Sequence, residues 1–111
     1  MRNDVEDLNY KLNKISQDIS DIEDEQYKLE GKIYEIEDQF CQKDKVFQEL
    51  HDIWKTGEMS YIMQDTEWEI KQNQHMIVNE LEKEKESLKQ KKRALEDKEE
   101  KLYFERRKRT L

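Results

Sequence analysis

The sequence predicts an all-α fold, an antiparallel two-helix hairpin of coiled-coil type with its turn near residues 55–60. Three observations carry that prediction. The chain has 111 residues, no proline and only two glycines, Gly31 and Gly57, so little in it interrupts a helix. Apolar residues recur at alternating steps of three and four along the first half, the repeat of a helix that keeps one narrow stripe turned to a partner. The one cluster of turn-forming residues, Thr56-Gly57 with Ser60, stands at the midpoint, where a chain folding back on itself needs it.

The first helix is expected over about residues 4–55. Its seam reads Val5, Leu8, Leu12, Ile15, Ile19, Ile22, Gln26, Leu29, Ile33, Ile36, Phe40, Lys43, Phe47, Leu50 and Trp54, with only Gln26 and Lys43 polar. Gln26 at a core position is either a register pin, a buried amide that slippage would orphan, or a tolerated polar residue. Gly31 falls on the outer face, where it costs on the order of 1 kcal/mol against alanine without breaking the helix.

At the midpoint the two rows of the seam part company. Five aromatics stand at an interval of seven, Phe40, Phe47, Trp54, Tyr61 and Trp68, so one row carries on, whereas the other fails at Gly57 and then meets Gln64 and Lys71. A helix ending near Lys55, a left-handed cap at Gly57 and Ser60 as N-cap of the next helix account for the failure. An unbroken single helix containing a glycine is the rival reading.

The second helix is expected over about residues 61–107, after a turn at 56–60. Met63, Ile70, Ile77 and Leu81 share one face, with Trp68, Met76 and Val78 beside it. From there only Leu81, Leu88, Leu95 and Leu102 remain apolar, with Glu84, Lys91, Lys98 and Glu105 assigned to the companion row. Lysine stems can cover apolar surface there while the ammonium stays wet. Each helix of about 50 residues would span roughly 75 Å at 1.5 Å per residue.

Charge supports the folding back. The chain carries -7 overall; residues 1–50 hold 14 acids and 7 bases, residues 51–111 hold 14 of each. An antiparallel hairpin lays the acidic run around Asp18, Asp21, Glu23, Asp24 and Glu25 beside Lys89 to Arg93 and the terminal Arg106-Arg107-Lys108-Arg109. The acidic half would be repelled by phosphates, which argues against a nucleic-acid binder. The basic end reads as a helix C-terminus whose cations complement the macrodipole, with an anionic surface as the lesser reading.

With 44% charged and 33% hydrophobic residues the chain is too polar for a thick globular core, and regular spacing sets disorder aside except at the ends. No run of 18 apolar residues exists, so no stable membrane insertion is expected; Met1 to Asp4 leads into acidic helix rather than a signal-peptide core. Synthesis and folding in the cytosol follow, with export beside a client left open. Cys41 stands alone, and His51 and His75 lie 24 residues apart on different helices. No metal site, cofactor or catalytic apparatus is expected from them, nor from the acidic run, which lacks the glycine and spacing of a calcium loop.

The candidate site is instead an apolar excess near the turn. Phe47, Ile53, Trp54, Met59, Tyr61, Ile62, Trp68 and Met76 exceed what the single internal interface of a two-helix hairpin can bury, and Gly57 makes the turn. A groove on a larger helical client would bury them, with tryptophan and tyrosine as anchors. Packing among themselves and homodimerisation are the alternatives.

An acidic hairpin of about a hundred residues turning at a tryptophan and a glycine resembles the WXG-type (Esx-like) proteins of type VII secretion. The stretch Trp54-Lys55-Thr56-Gly57-Glu58, and the second helix as far as Leu102-Tyr103-Phe104-Glu105-Arg106-Arg107, is similar to the small helical Lap-type partners of LXG toxins. That resemblance implies a non-enzymatic targeting factor or chaperone that binds the helical N-terminal region of an LXG toxin, with a second small WXG-like protein as a further partner. Two features depart from it. The turn is one residue longer than Trp-x-Gly, and Tyr103 and Phe104 are followed four residues on by Arg107 and Lys108 rather than by an acid. A structural, self-associating coiled coil is the alternative function.

Overall fold

The computed structural model describes residues 4–110. The fold is all-α, two long helices packed against each other as a hairpin: α1 (Asp4–Ile53) and α2 (Glu58–Thr110). Asp4, Glu6 and Asp7 open α1 and Glu58 opens α2, while Arg107, Lys108 and Arg109 close it, so charges of the favourable sign stand at these ends of the macrodipoles. A Cβ added at Gly31 would meet nothing within 4 Å, in keeping with an outward position in α1.

The turn is tighter than the sequence suggests. Trp54 N–H donates to the Leu50 carbonyl at 2.8 Å, the last helical bond of α1. Gly57 has φ +92°. Its carbonyl accepts from the Ser60 N–H at 3.2 Å, which closes the first turn of α2. Gly57 therefore sits immediately before α2, and its lack of a Cβ is what permits the positive φ there. Ser60 is not the N-cap: it lies inside α2 and is buried. α1 ends two residues before Lys55, and α2 begins three before Tyr61.

By its internal packing the chain divides into two units. In the terminal unit, residues up to Lys28 pair with residues from Glu84 onward. Leu8, Leu12 and Ile15 are buried on α1, as is Leu88 on α2, with Val5, Ile19, Ile22, Gln26, Leu95 and Leu102 half-buried. The companion row differs from the one assigned above. Lys92, Glu99 and Arg106 are half-buried, whereas Glu84, Lys91, Lys98 and Glu105 are exposed. The inward step after Leu88, Leu95 and Leu102 is four residues rather than three, a choice that leucines at every seventh position leave undetermined. At the ends of the helices Arg109 pairs with Asp4, and Arg106 Nη1 donates to Asn9 Oδ1 at 3.0 Å.

The turn unit comprises residues Leu29–Lys83. Leu29, Ser60 and Met63 are buried, and Ile33, Ile36, Phe40, Phe47, Leu50, Glu67, Ile70, Gln74, Val78 and Leu81 are half-buried. The aromatic row does not continue through the turn as a seam. Phe40 and Phe47 face inward, but Tyr61 and Trp68 are exposed and their N-terminal neighbours Ser60 and Glu67 point in. Four residues outside any helix, 54–57, reset the phase of the repeat by one position. Along α2 the inward positions then run 60, 63, 67, 70, 74, 78 and 81, so two steps of four follow one another and Val78 takes the place expected of Ile77, which stays 42% exposed. Such an extra step locally unwinds a coiled-coil repeat.

Candidate docking surface

The phase of α2 decides what the turn unit leaves outside. Ser60, Glu67 and Gln74, seven apart, form one of its two inward rows, so that row is polar. A residue one position further along a helix sits about 100° around it, which carries Tyr61 and Trp68 off the seam. Ile53, Tyr61, Trp68 and Met76 are 69%, 71%, 64% and 66% exposed. Met59, Ile62 and Trp54 are exposed as well, and only Phe47 of the eight residues singled out from the sequence is half-buried in the seam. Val46, Ile77 and Tyr34, also in this unit, add to the exposed apolar surface. Fully burying one such side chain is worth roughly 1.5–3 kcal/mol, so several together leave a large unused driving force for association.

Among the described residues of the terminal unit the large exposed apolar side chains are Tyr10, Tyr27, Tyr103 and Phe104. Two of them are covered by cations: Arg106 stands 4.9 Å from the Tyr103 ring centre and Lys108 stands 4.8 Å from that of Phe104. Arg106, Lys108 and Arg109 of the basic end are thus engaged by its own aromatics and by Asp4 and Asn9.

A polar contact joins the two helices within the turn unit. His51 Nε2–H, in the last turn of α1, donates to Glu67 Oε2 at 2.6 Å, and Lys71 Nζ reaches Glu67 Oε1 at 3.1 Å. A carboxylate can only accept, which assigns the proton to Nε2. The hydrogen bond from His51, followed by that from Lys71, holds the Glu67 carboxyl below the ordinary carboxylate range. Sequence reasoning missed this pair because it weighed His51 only against His75 and Cys41; the phase shift at the turn is what brings Glu67 inward. Nearby in sequence, Gln74 Nε2 is buried with no hydrogen-bond partner.

Among the described residues no group of three or more histidine, cysteine, aspartate or glutamate side chains could hold a metal ion. No described helix is long and apolar enough to cross a membrane. Cys41 is exposed and free.

The two-helix pattern extends over almost the whole chain, and so does the match to a known family. The model of a family described as a protein of unknown function, DUF3958, matches residues 3–109. The chain belongs to the DUF3958 family. No curated protein and no solved structure matches it. DUF3958 carries no stated activity, client or secretion route, so a functional reading starts from the surfaces described above.

Proposed function

We propose that this DUF3958 protein is a non-enzymatic targeting factor that docks a larger helical client through the exposed apolar face of its turn unit. The observation that carries the reading is the exposure of Ile53, Tyr61, Trp68 and Met76 together on one unit whose own seam is already filled by other residues. Tryptophan and tyrosine supply large contact areas at low entropic cost, and they dominate binding energy where a partner helix seats against them. By the resemblance of the 54–58 turn and the second helix to Lap-type proteins, the client is the helical N-terminal region of an LXG toxin. Delivery to a type VII secretion machine, with a second small WXG-like protein in the complex, follows from the same resemblance.

The test is affinity purification of the tagged protein from its own host, with mass spectrometry of stoichiometric partners, repeated with Trp54→Ala/Trp68→Ala. A larger protein with a helical N-terminal region should co-purify with the wild type and be lost from the double variant, while helicity by circular dichroism is retained. Recovery of the chain alone as a defined oligomer would replace client binding by self-association on the same face. Full client recovery by the double variant would sink the assigned surface.

A further inference from the structure

The terminal unit carries a second surface, chemically unlike the first. A groove of about 430 Å³ runs between α1 and α2, lined on one side by Tyr10, Lys11, Lys14, Ile15 and Asp18 and on the other by Leu95, Lys98, Lys101 and Leu102. Ile15 is buried and Leu95 and Leu102 are half-buried, so they form an apolar floor; Lys11 and Lys14 stand exposed on one rim, Lys98 and Lys101 on the other. Lys14 is held by Asp18 at 3.7 Å, but Lys11, Lys98 and Lys101 have no carboxylate partner among the described residues. Four cations against one acid surround this groove in a chain whose net charge is -7. A second groove of the same unit is different. It is lined by Ser16, Ile19, Ser20, Glu23, Lys92, Glu96 and Glu99, with three acids, one lysine and little apolar floor.

From this contrast we infer that the groove at Lys11, Lys14, Lys98 and Lys101 receives an amphipathic helix of another protein, one whose apolar stripe is flanked on both sides by glutamates or aspartates. An apolar floor of Ile15, Leu95 and Leu102 between two lysine rims is complementary in kind to the apolar stripe of one amphipathic helix. Cations on both rims meet the two flanking rows of such a helix, the positions that select partners in helical bundles. A flat anionic membrane would meet the lysines but could not reach a floor recessed between two helices. The acidic groove of a second copy has Ile19 as its one apolar lining residue, too little to fill the floor. The assignment is independent of the client-docking face, since none of its residues lies in the turn unit.

The experiment uses the full-length protein and two labelled synthetic helices with the same leucine and isoleucine stripe, one flanked by glutamate and the other by lysine. The glutamate-flanked peptide should bind by fluorescence anisotropy, more weakly as salt rises, and the lysine-flanked peptide should not. Lys98→Glu/Lys101→Glu should weaken binding about tenfold, two exposed attractions becoming repulsions. Trp54→Ala/Trp68→Ala should leave it unchanged, which separates this groove from the client face. Amide chemical-shift changes should centre on Lys14, Ile15, Lys98 and Leu102. Equal binding of both peptides, absence of binding, or full binding by the charge-reversed protein with native helicity would overturn the assignment. So would sedimentation with phosphatidylglycerol vesicles that the charge reversal abolishes while peptide binding persists.

Discussion

The terminal unit and the turn unit are built from the same two helices, and in both one inward row of α2 is polar, but they differ in what they leave outside. In the terminal unit the aliphatic residues lie in the seam, and the outer aromatics Tyr103 and Phe104 sit under Arg106 and Lys108. The polar inward row is Lys92, Glu99 and Arg106 in the terminal unit and Ser60, Glu67 and Gln74 in the turn unit, where Ile53, Tyr61, Ile62, Trp68 and Met76 face out. So many large apolar residues left outside one unit is the reverse of what stability alone would select. The difference separates a unit that holds the hairpin closed from a unit that keeps apolar surface available.

The sharpest way to break this comparison is to truncate one residue of each kind. Leu12→Ala removes a buried side chain from the terminal seam and should cost roughly 2–4 kcal/mol in urea unfolding. Trp68→Ala removes a larger but exposed side chain and should change stability by no more than about 0.5 kcal/mol while weakening client capture. Equal destabilisation by the two would mean that Trp68 is packed, and the division of labour between the units would fall.

A smaller effect is expected at the turn itself. Gly57→Ala places a Cβ on a backbone at φ +92°, where L side chains are strained, although no neighbouring atom lies within 4 Å of it. The cost should be about 1–2 kcal/mol, a purely backbone term. Gly31→Ala, in mid-helix with open space around its Cβ, should stabilise by about 0.5–1 kcal/mol. Opposite signs at the only two glycines would place the single turn at Gly57, and thermal melts of the two variants decide it.

The fold was legible because a 3-4 apolar repeat with one glycine-containing interruption admits few arrangements. Seam residues of α1 from Val5 to Leu50 could be named from spacing alone, Lys43 being the one that faces solvent instead. What spacing could not supply was phase. A lone leucine every seven residues fits an inward neighbour three or four residues on, so Lys92, Glu99 and Arg106 were hidden behind Lys91, Lys98 and Glu105. At the turn the same ambiguity put Tyr61 and Trp68 in line with Phe47, until residues 54–57 shifted α2 by one position. The excess of apolar residues near the turn was visible in composition and position. The groove flanked by Lys11, Lys14, Lys98 and Lys101 was not, because it requires knowing which lysines of α2 face α1.

The finest discrimination concerns the polar contact inside the turn unit. Glu67 is held below the ordinary carboxylate range by His51 and then Lys71, and a carboxyl whose folded-state pKa is depressed binds its proton more readily when unfolded. Its contribution to stability is therefore fully present above the ordinary carboxylate range and is lost as pH falls through the folded-state value. Because the residues are partly solvated, the contribution should be no more than about 1 kcal/mol. Glu67→Gln should accordingly be less stable than the wild type near neutrality by up to that amount, with the gap closing on acidification below the carboxylate range. Urea unfolding at several pH values reads this directly. A gap that is constant with pH would mean that Glu67 acts only by filling its place in the seam. A gap that closes would show that the turn unit is closed in part by an ionic contact, so that acid loosens the junction of α1 and α2 near His51 before it affects the leucine seam of the terminal unit.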